Sequence, residues 1–258
     1  MNPHPVPAGN GVQWISSAIT IVMGNPAVFV VMALIIAVLG AVPVINLIML
    51  ILGPALYGGI MYAAARQDRG ETAEIGDLFA AFQQSGKIGP MILLCLPSLA
   101  AVVVLVVLGF VLFGGALLSV MGGHMSGVGA AALSGALLFI PLALLVALAV
   151  VALLFFAVPR VMLDGIEPLA ACKESLATVF ANFGAVALFV VVFFASFLVL
   201  ALVLAFIPLL GPLLLGLGST LVATLGSYAA YREVFAGGVP AAASAPPPAP
   251  PPPPPVVQ

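Results

Sequence analysis

The sequence predicts an all-α, polytopic membrane protein in which six transmembrane helices form three hairpins, accompanied by amphipathic helices at the membrane interface. Three observations lead to this fold class. First, 64% of the 258 residues are hydrophobic and only 5% are charged, so the chain lacks the polar side chains that a soluble protein of this size needs on its surface. Second, six apolar stretches are long enough to cross a bilayer as helices. Third, the charged residues occupy only alternate connections between these stretches.

The six apolar stretches are predicted to be helices because their hydrophobic residues are continuous, whereas the strands of a membrane barrel would alternate apolar and polar residues. The predicted spans cover residues 27–41, 44–65, 88–113, 134–158, 183–207 and 209–231. A span needs roughly 20 mostly apolar residues, so the first is short unless it begins nearer Pro26 and continues into Pro43. Pro54, Pro97 and Pro141 lie inside predicted spans and are expected to bend them.

The charged residues predict which way the chain crosses the membrane. All fourteen lie in four places: residues 66–77, Lys87, residues 160–174 and Arg232–Glu233. The alternate connections contain no Lys, Arg, Asp or Glu: these lie near Pro43, at 114–133 and near Pro208. An Arg, Lys or Asp at a helix centre costs about 2.5–3.5 kcal/mol, so charged residues stay in the connections. Because the number of spans is even and the charges occupy alternate connections, every charge falls on one side of the membrane. The positive-inside rule assigns that side, and both termini, to the cytoplasm.

Three segments on the charged side are predicted to be amphipathic helices at the membrane surface, each preceding a hairpin. The apolar face of residues 10–26 consists of Trp14, Ile15, Ala18, Ile19, Val22 and Met23. That of residues 75–84 consists of Ile75, Leu78, Phe79 and Phe82. Residues 167–182 carry an apolar stripe at 3.6-residue spacing, formed by Leu169, Cys172, Leu176, Val179 and Phe180. We expect Trp14 at the level of the lipid headgroups. A simpler role, an elbow that sets the angle of the next span, stays open.

The chain ends are predicted to lie outside the membrane domain, which covers residues 11–235. Residues 1–10 are expected to form a flexible N-terminal tail. Residues 236–258 are rich in Ala and Pro, and because proline lacks an amide donor and fixes φ, they predict a disordered cytoplasmic tail with polyproline II character. The first 25 residues contain no Lys or Arg, so the first membrane helix is expected to serve as an uncleaved targeting signal.

The predicted spans lack the residues that carry chemistry in membrane enzymes and pumps. No Asp, Glu, Lys or Arg lies deep within a span, although proton-coupled transporters usually keep one there. His4 and His124 have no catalytic neighbour in sequence, and neither an H-E-x-x-H motif nor a phosphate-binding glycine loop occurs. Met121, His124 and Met125 have side chains that suit Cu(I), but a flexible uncharged connector is the simpler interpretation. The sequence therefore predicts no enzyme, no metal and no cofactor, and a net charge of −2 gives no case for nucleic acid.

Two predicted spans carry small residues at four-residue intervals, which places them on one helix face. These residues are Ala55, Gly59 and Ala63 in the second span and Ser219, Ala223 and Ser227 in the sixth. Small side chains let neighbouring helix backbones approach closely, so helix packing is the first interpretation. The hydroxyl groups leave a second interpretation open, in which these residues line a path for a substrate.

Several short motifs together resemble a known group of bacterial membrane proteins. They are VPAGNGVQWI at 6–15, NP at 25–26, VPVIN at 42–46, DRGE at 68–71, IGDLFAAF at 75–82 and MLDGIEPLAACKESLATVFAN at 162–182. On these motifs the chain resembles an uncharacterised, YciC-like family of six-helix inner-membrane proteins, distantly related to the membrane domain of glycerophosphodiester phosphodiesterases. The resemblance covers about residues 7–235 and implies the fold and the bacterial inner membrane. It carries over no functional residue, because the phosphodiesterase chemistry belongs to a separate soluble domain.

Two functions are compatible with these observations. The missing catalytic residues favour a non-catalytic, multi-pass protein of the bacterial cytoplasmic membrane that is a structural or partner component of the envelope. Its partners would be membrane lipids, another membrane protein or a second copy of the chain. The alternative is a transporter or lipid-handling channel for a neutral or amphipathic small molecule; an intramembrane enzyme is least supported. A cavity within the helix bundle would favour the transporter or channel, and a solidly packed bundle would argue against it.

Overall fold

The computed structural model describes residues 3–122, 128–208 and 210–235, and in this part of the chain all regular structure is helical, as predicted. The α-helices are α1 (Asn10–Gly24), α2 (Pro26–Ala41), α3 (Pro43–Asp68), α4 (Ala80–Gln83), α5 (Ile88–Leu93), α6 (Leu96–Met121), α7 (Val128–Leu154), α8 (Ala157–Pro159), α9 (Pro168–Ala181), α10 (Phe183–Leu204) and α11 (Leu210–Phe235). A 3-10 turn, Ile75–Phe79, precedes α4, and a π-helical turn, Arg160–Asp164, follows α8. His124, Met125 and the predicted tail 236–258 lie outside the described residues.

Five helical segments in the described residues are long and apolar enough to cross a bilayer. They are Ile48–Asp68, Ile88–Met121, Val128–Asp164, Phe183–Leu204 and Leu210–Phe235. α1 and α2 meet this criterion only together, and their axes differ by 106°. Pro26 at the start of α2 favours this corner, because proline lacks an N–H and disfavours a helical residue before it. α2 alone has 16 residues, about 24 Å at 1.5 Å per residue, which is shorter than the roughly 30 Å hydrocarbon core of a bilayer.

Successive long helices pack against each other in pairs. In α10 and α11, Gly226 lies against Phe189 and Gly211 lies against Leu204, so the two helices run in opposite directions. α6 packs on α7, and α2 packs on α3. α11 also contacts α2 and α3, which joins the first and last pairs.

The α6–α7 pair exposes apolar side chains on almost all sides. Only 17% of the residues in the most hydrophobic part of Ile88–Met121 are buried, and none in that of Val128–Asp164. Such a surface is unfavourable in water, but it needs no covering when the solvent is lipid. The pair joins the rest of the protein through its base, where α7 contacts α8 and α9.

The third predicted span, residues 88–113, is interrupted and longer than expected. The break falls at Leu94–Cys95, because Pro97 has no N–H for the Leu93 carbonyl and its ring would crowd that oxygen. α6 continues past the predicted end and α7 begins early, so much of the connection predicted at 114–133 is helical. Gly114 and Gly115 lie within α6 and do not end it, since lipid offers the backbone no competing hydrogen bonds.

Helix α9 turns its small residues toward the protein. Ala171, Ser175 and Thr178 are buried, whereas Leu169 and Phe180 are 63% and 68% exposed. Close packing in a membrane favours small residues at helix contacts and leaves large apolar ones for lipid. At these two positions the predicted apolar stripe therefore faces outward.

Helix α1 packs against α10 and α11. Gly11 permits this contact, because a Cβ there would overlap the carbonyl oxygen of Ala185. Trp14 is 1% exposed, and its Nε1 donates to Glu233 Oε2 at 2.6 Å. Protein therefore encloses Trp14, and the prediction that it lies among lipid headgroups is wrong. The reason is that a buried indole N–H needs an acceptor, and Glu233 at the end of α11 provides one.

Candidate functional site

A cavity of about 630 Å³ lies between α7 on one side and α10 and α11 on the other. Val151 and Leu154 of α7 line it, and Phe155 extends the same wall. Tyr57 and Met61 of α3 complete the lining. Most of this surface is apolar, as a site for a hydrophobic ligand requires.

The cavity has an aromatic wall and a hydroxyl-bearing wall. Phe189, Phe193 and Phe197 of α10 lie four residues apart and therefore on one helix face. Their successive ring centroids are 6.1 and 4.7 Å apart. The hydroxyl-bearing wall belongs to α11 and consists of Ser219, Thr220, Thr224 and Ser227. The cavity thus offers an apolar surface for a hydrocarbon chain and hydrogen-bonding groups for a polar oxygen.

The cavity lies alongside the middle of α11 and extends toward the end that carries Arg232. Ser219 precedes Arg232 by thirteen residues, about 20 Å at 1.5 Å per residue, and Ser227 precedes it by five residues, about 8 Å. The hydrocarbon core of a bilayer is roughly 30 Å thick. A membrane-spanning α11 therefore places the cavity across the middle of the hydrocarbon core, beside lipid acyl chains.

The two predicted stripes of small residues have different surroundings. Those on α11 line the cavity: Ser219, Ala223 and Ser227. Those on α3 are buried: Ala55, Gly59 and Ala63. A Cβ on Gly59 would overlap the carbonyl group of Leu78, so this glycine lets α3 approach the 3-10 turn closely. The stripe on α11 therefore borders the cavity, and the stripe on α3 lies in helix contacts.

Sequence reasoning alone misses the aromatic wall. The four-residue spacing of Phe189, Phe193 and Phe197 is a signal that could reveal one helix face. Phenylalanines on a membrane helix also face lipid, however, so the spacing does not distinguish a cavity wall from an outer surface. Tyr57 stands out in the sequence as a hydroxyl-bearing residue within the second predicted span, but only the packing of α3 shows that it lines the cavity.

The helix that begins with α7 is interrupted at Phe155–Phe156, beside the cavity. The Phe156 N–H donates to Ser175 Oγ at 3.0 Å, and Ser175 Oγ donates to the Ala152 carbonyl at 2.8 Å. In a continuous helix the Phe156 N–H would bond directly to that carbonyl. The Ser175 hydroxyl of α9 is therefore inserted into the hydrogen-bond ladder of another helix, which is a recognised cause of a kink.

A second hydroxyl group supports the same interruption. Pro159 has no N–H and cannot bond to the Phe155 carbonyl four residues earlier. Ser227 Oγ of α11 donates to that carbonyl instead. Two serines from different helices thus satisfy backbone groups that the interruption releases, and Ser227 links the hydroxyl-bearing wall to it.

Charged residues at one end of the bundle join the helices to one another. Asp68 at the end of α3 accepts hydrogen bonds from Tyr228 Oη at 2.6 Å and from Arg232, both on α11. Arg66 of α3 pairs with Asp77 of the 3-10 turn at 2.8 Å. These bonds connect α3 with α11 and with the segment that follows α3.

Arg160 forms a second junction at this end. Its side chain is 4% exposed and pairs with Asp164 and, at 2.8 Å, with Glu174 of α9. Tyr231 Oη donates to Asp164 at 2.7 Å, and the guanidinium carbon lies 4.6 Å from the centre of the Phe235 ring. A buried charge needs such partners, since leaving it unpaired is strongly destabilising.

The exposed segment between α3 and the 3-10 turn contains further ion pairs. Arg69 and Arg66 both donate to Glu71, and these hydrogen bonds lower the pKa of its carboxyl group below the ordinary value. Exposed pairs of this kind contribute little to stability. They keep the charged segment compact without holding the helices together.

Metal-ligand clusters and thiols are two further kinds of group to consider in the described residues. Within the described residues, no group of three or more His, Cys, Asp or Glu is placed to hold a metal ion. Cys95 and Cys172 are free thiols, and burial raises the pKa of the Cys172 thiol, so little reactive thiolate forms near neutral pH. Hydrogen bonding and apolar contact are the interactions that the cavity offers.

The chain matches no protein-family model, no curated protein and no solved structure. Its function therefore has to be inferred from the cavity and from the helices and charges around it.

Proposed function

We propose that this chain is an integral protein of the bacterial cytoplasmic membrane that binds a neutral or amphipathic small molecule, as a lipid-handling protein or transporter, and that it has no catalytic activity. The observation that carries this proposal is the cavity of about 630 Å³. Ligand sites typically enclose about 300–1,000 Å³ and combine apolar walls with a few polar groups. The other function that the sequence suggests, a structural or partner role in the envelope, requires no cavity.

The proposal includes six spans arranged as three hairpins. The first hairpin is α2 with α3, the second pairs the span formed by α5 and α6 with α7, and the third is α10 with α11. Each hairpin follows a surface helix: α1, the 3-10 turn with α4, or α9. The 106° corner between α1 and α2 supports this arrangement, because a helix in the membrane plane meets a spanning helix at a steep angle. The positive-inside rule assigns the charged end and both termini to the cytoplasm. Membership of the YciC-like group, with its six-helix topology, is part of the same proposal.

Cysteine labelling checks the orientation. In a background of Cys95→Ala and Cys172→Ala, we expect Gly122→Cys to react with a membrane-impermeant maleimide in intact bacteria, and Ser85→Cys to react only after the membrane is permeabilised. Both positions are exposed, and they lie at opposite ends of the α5–α6 segment. The reverse pattern would show that the charged end faces outward, and equal labelling of both in intact cells would rule out a membrane-spanning segment between them.

Blocking the cavity checks ligand binding. Ala223→Phe places a ring in the cavity, where Ala223 now leaves space. We expect a photoreactive fatty acid to cross-link to wild-type α10 and α11 in bacterial membranes, and the variant to lose most of this labelling. Peptide mapping by mass spectrometry measures the labelled sites.

The matched control is Ala195→Phe, which adds the same ring to the exposed face of α10 outside the cavity. This control should keep wild-type labelling. Equal labelling of wild type and Ala223→Phe would contradict the proposal that the cavity holds the ligand.

A further inference from the structure

We infer that the cavity takes a neutral lipid whose polar group carries hydroxyl or ester oxygens, such as a monoacyl- or diacylglycerol, with one hydrocarbon chain along the aromatic wall. The inference rests on the proposed function and narrows its ligand. Three features support it: hydroxyl groups that are free to bond, a lining without ionisable carboxylates or bases, and the dimensions of the cavity.

Three hydroxyl groups of the lining have no partner among the described residues. Thr224 is only 7% exposed and lines the cavity, and Tyr57 and Thr220 line it as well. By contrast, Ser219 and Ser227 already donate to backbone carbonyls. The Thr224 hydroxyl lines the cavity and is not engaged by a backbone carbonyl of the described residues, so it is available to bond to a ligand oxygen.

The lining contains no Asp, Glu, Lys, Arg or His among the described residues. The arginines on the neighbouring helix ends are engaged, Arg232 by Asp68 and Arg160 by Asp164 and Glu174. A phosphate group drawn into the cavity would lose its hydration without meeting a free cation. The lining therefore favours an uncharged polar group over a phospholipid headgroup.

The dimensions suit a single chain. Phe189 and Phe197, at the ends of the aromatic wall, are eight residues apart, about 12 Å along α10 at 1.5 Å per residue. A volume of about 630 Å³ is in the range of about 300–1,000 Å³ that holds one drug-sized ligand. One hydrocarbon chain with a small polar group fits this range, and the surrounding bilayer would provide access to such molecules.

Photoreactive lipids that share one diazirine-bearing acyl chain provide the test. The full-length protein is reconstituted in phosphatidylcholine vesicles that contain a trace of a monoacylglycerol, a diacylglycerol, a phosphatidylglycerol or a phosphatidylethanolamine probe. We expect at least one acylglycerol to label the cavity peptides of α10 and α11 about three- to tenfold more than either phospholipid, as one or two hydrogen bonds would produce. Comparing the two acylglycerol arms distinguishes the single-chain from the two-chain lipid.

Two conservative variants assign this preference to the hydroxyl groups. Thr224→Val keeps the shape of the side chain, Tyr57→Phe keeps the ring, and each should reduce acylglycerol labelling about threefold or more without changing phospholipid labelling. Ser134→Ala is the matched control, because it removes a hydroxyl outside the cavity that, among the described residues, bonds only to the Ala131 carbonyl, at 3.0 Å. Size-exclusion profiles confirm that each variant is folded.

The outcomes separate this inference from the proposed function. Equal or stronger labelling by a phospholipid, or acylglycerol labelling that neither variant reduces, would overturn the neutral-lipid inference while a lipid still occupied the cavity. If no probe labels the cavity peptides and Ala223→Phe changes nothing, the proposed function fails together with it.

Discussion

Replacing Ser175 by alanine is expected to destabilise the folded protein by roughly 1–3 kcal/mol for each buried backbone group that loses its partner. Two groups are affected, the Phe156 N–H and the Ala152 carbonyl, which Ser175 Oγ joins at 3.0 and 2.8 Å. Ser175 is fully buried, so water does not replace the missing hydroxyl without a rearrangement. The contact between α9 and the end of α7 should therefore weaken.

Thermal unfolding of the purified protein in mild detergent, followed by size-exclusion chromatography, measures this effect. Ser119→Ala is a suitable control, because among the described residues its hydroxyl bonds only to the Gly115 carbonyl of its own helix, at 2.9 Å, and its loss should leave the unfolding temperature unchanged. A Ser175→Ala protein as stable as wild type would show that the interruption at Phe155–Phe156 does not depend on this hydroxyl.

Gly59→Ala is expected to have the second large effect. A Cβ at this position would overlap the backbone carbonyl of Leu78, and a backbone group cannot rotate away as a side chain can. Overpacking of this kind costs about 1–3 kcal/mol. The 3-10 turn should move away from α3 and weaken the ion pair between Arg66 and Asp77, whose atoms now lie 2.8 Å apart.

Trypsin digestion of the purified protein reports on this turn, because the enzyme cleaves after Arg66 and Arg69, which precede it. Cleavage should be faster in Gly59→Ala than in wild type. Gly216→Ala is the matched control: a Cβ there meets no atom within 4 Å, and alanine favours a helix over glycine by about 1 kcal/mol. If both variants were as stable and as resistant to trypsin as wild type, the close approach of α3 to the turn would not be needed.

The long apolar helices could be predicted from composition because lipid places few demands on a helix beyond length and apolar side chains. The spans predicted at 183–207 and 209–231 correspond to α10, Phe183–Leu204, and α11, Leu210–Phe235. Pro97 likewise marks the region where the third span breaks, because the missing N–H is a property of the residue itself. Which side of the membrane the charges face stays a prediction.

The cavity and the interruption at Phe155–Phe156 could not be predicted, because both depend on distances between helices that are far apart in sequence. Helical spacing places Ser219, Ala223 and Ser227 on one face, but it does not indicate what that face meets. Ser175 is a single small polar residue in an amphipathic helix, and nothing in its surroundings indicates that its hydroxyl enters the backbone ladder of α7. Only the packing of α9 on α7 shows this role.

The breaks at Leu94–Cys95 and Phe155–Phe156 have a mechanical consequence, since they fall at the two points where the α6–α7 pair joins the rest of the protein. At these breaks neither α6 nor α7 continues into the neighbouring helix with an unbroken hydrogen-bond ladder, so we expect the α6–α7 pair to bend most easily there. At Phe155–Phe156 the hydroxyl groups of Ser175 and Ser227 take the place of missing bonds in the backbone ladder. Any change in the tilt of the α6–α7 pair alters the gap between α7 and the α10–α11 pair, and with it the room available to a molecule that enters sideways.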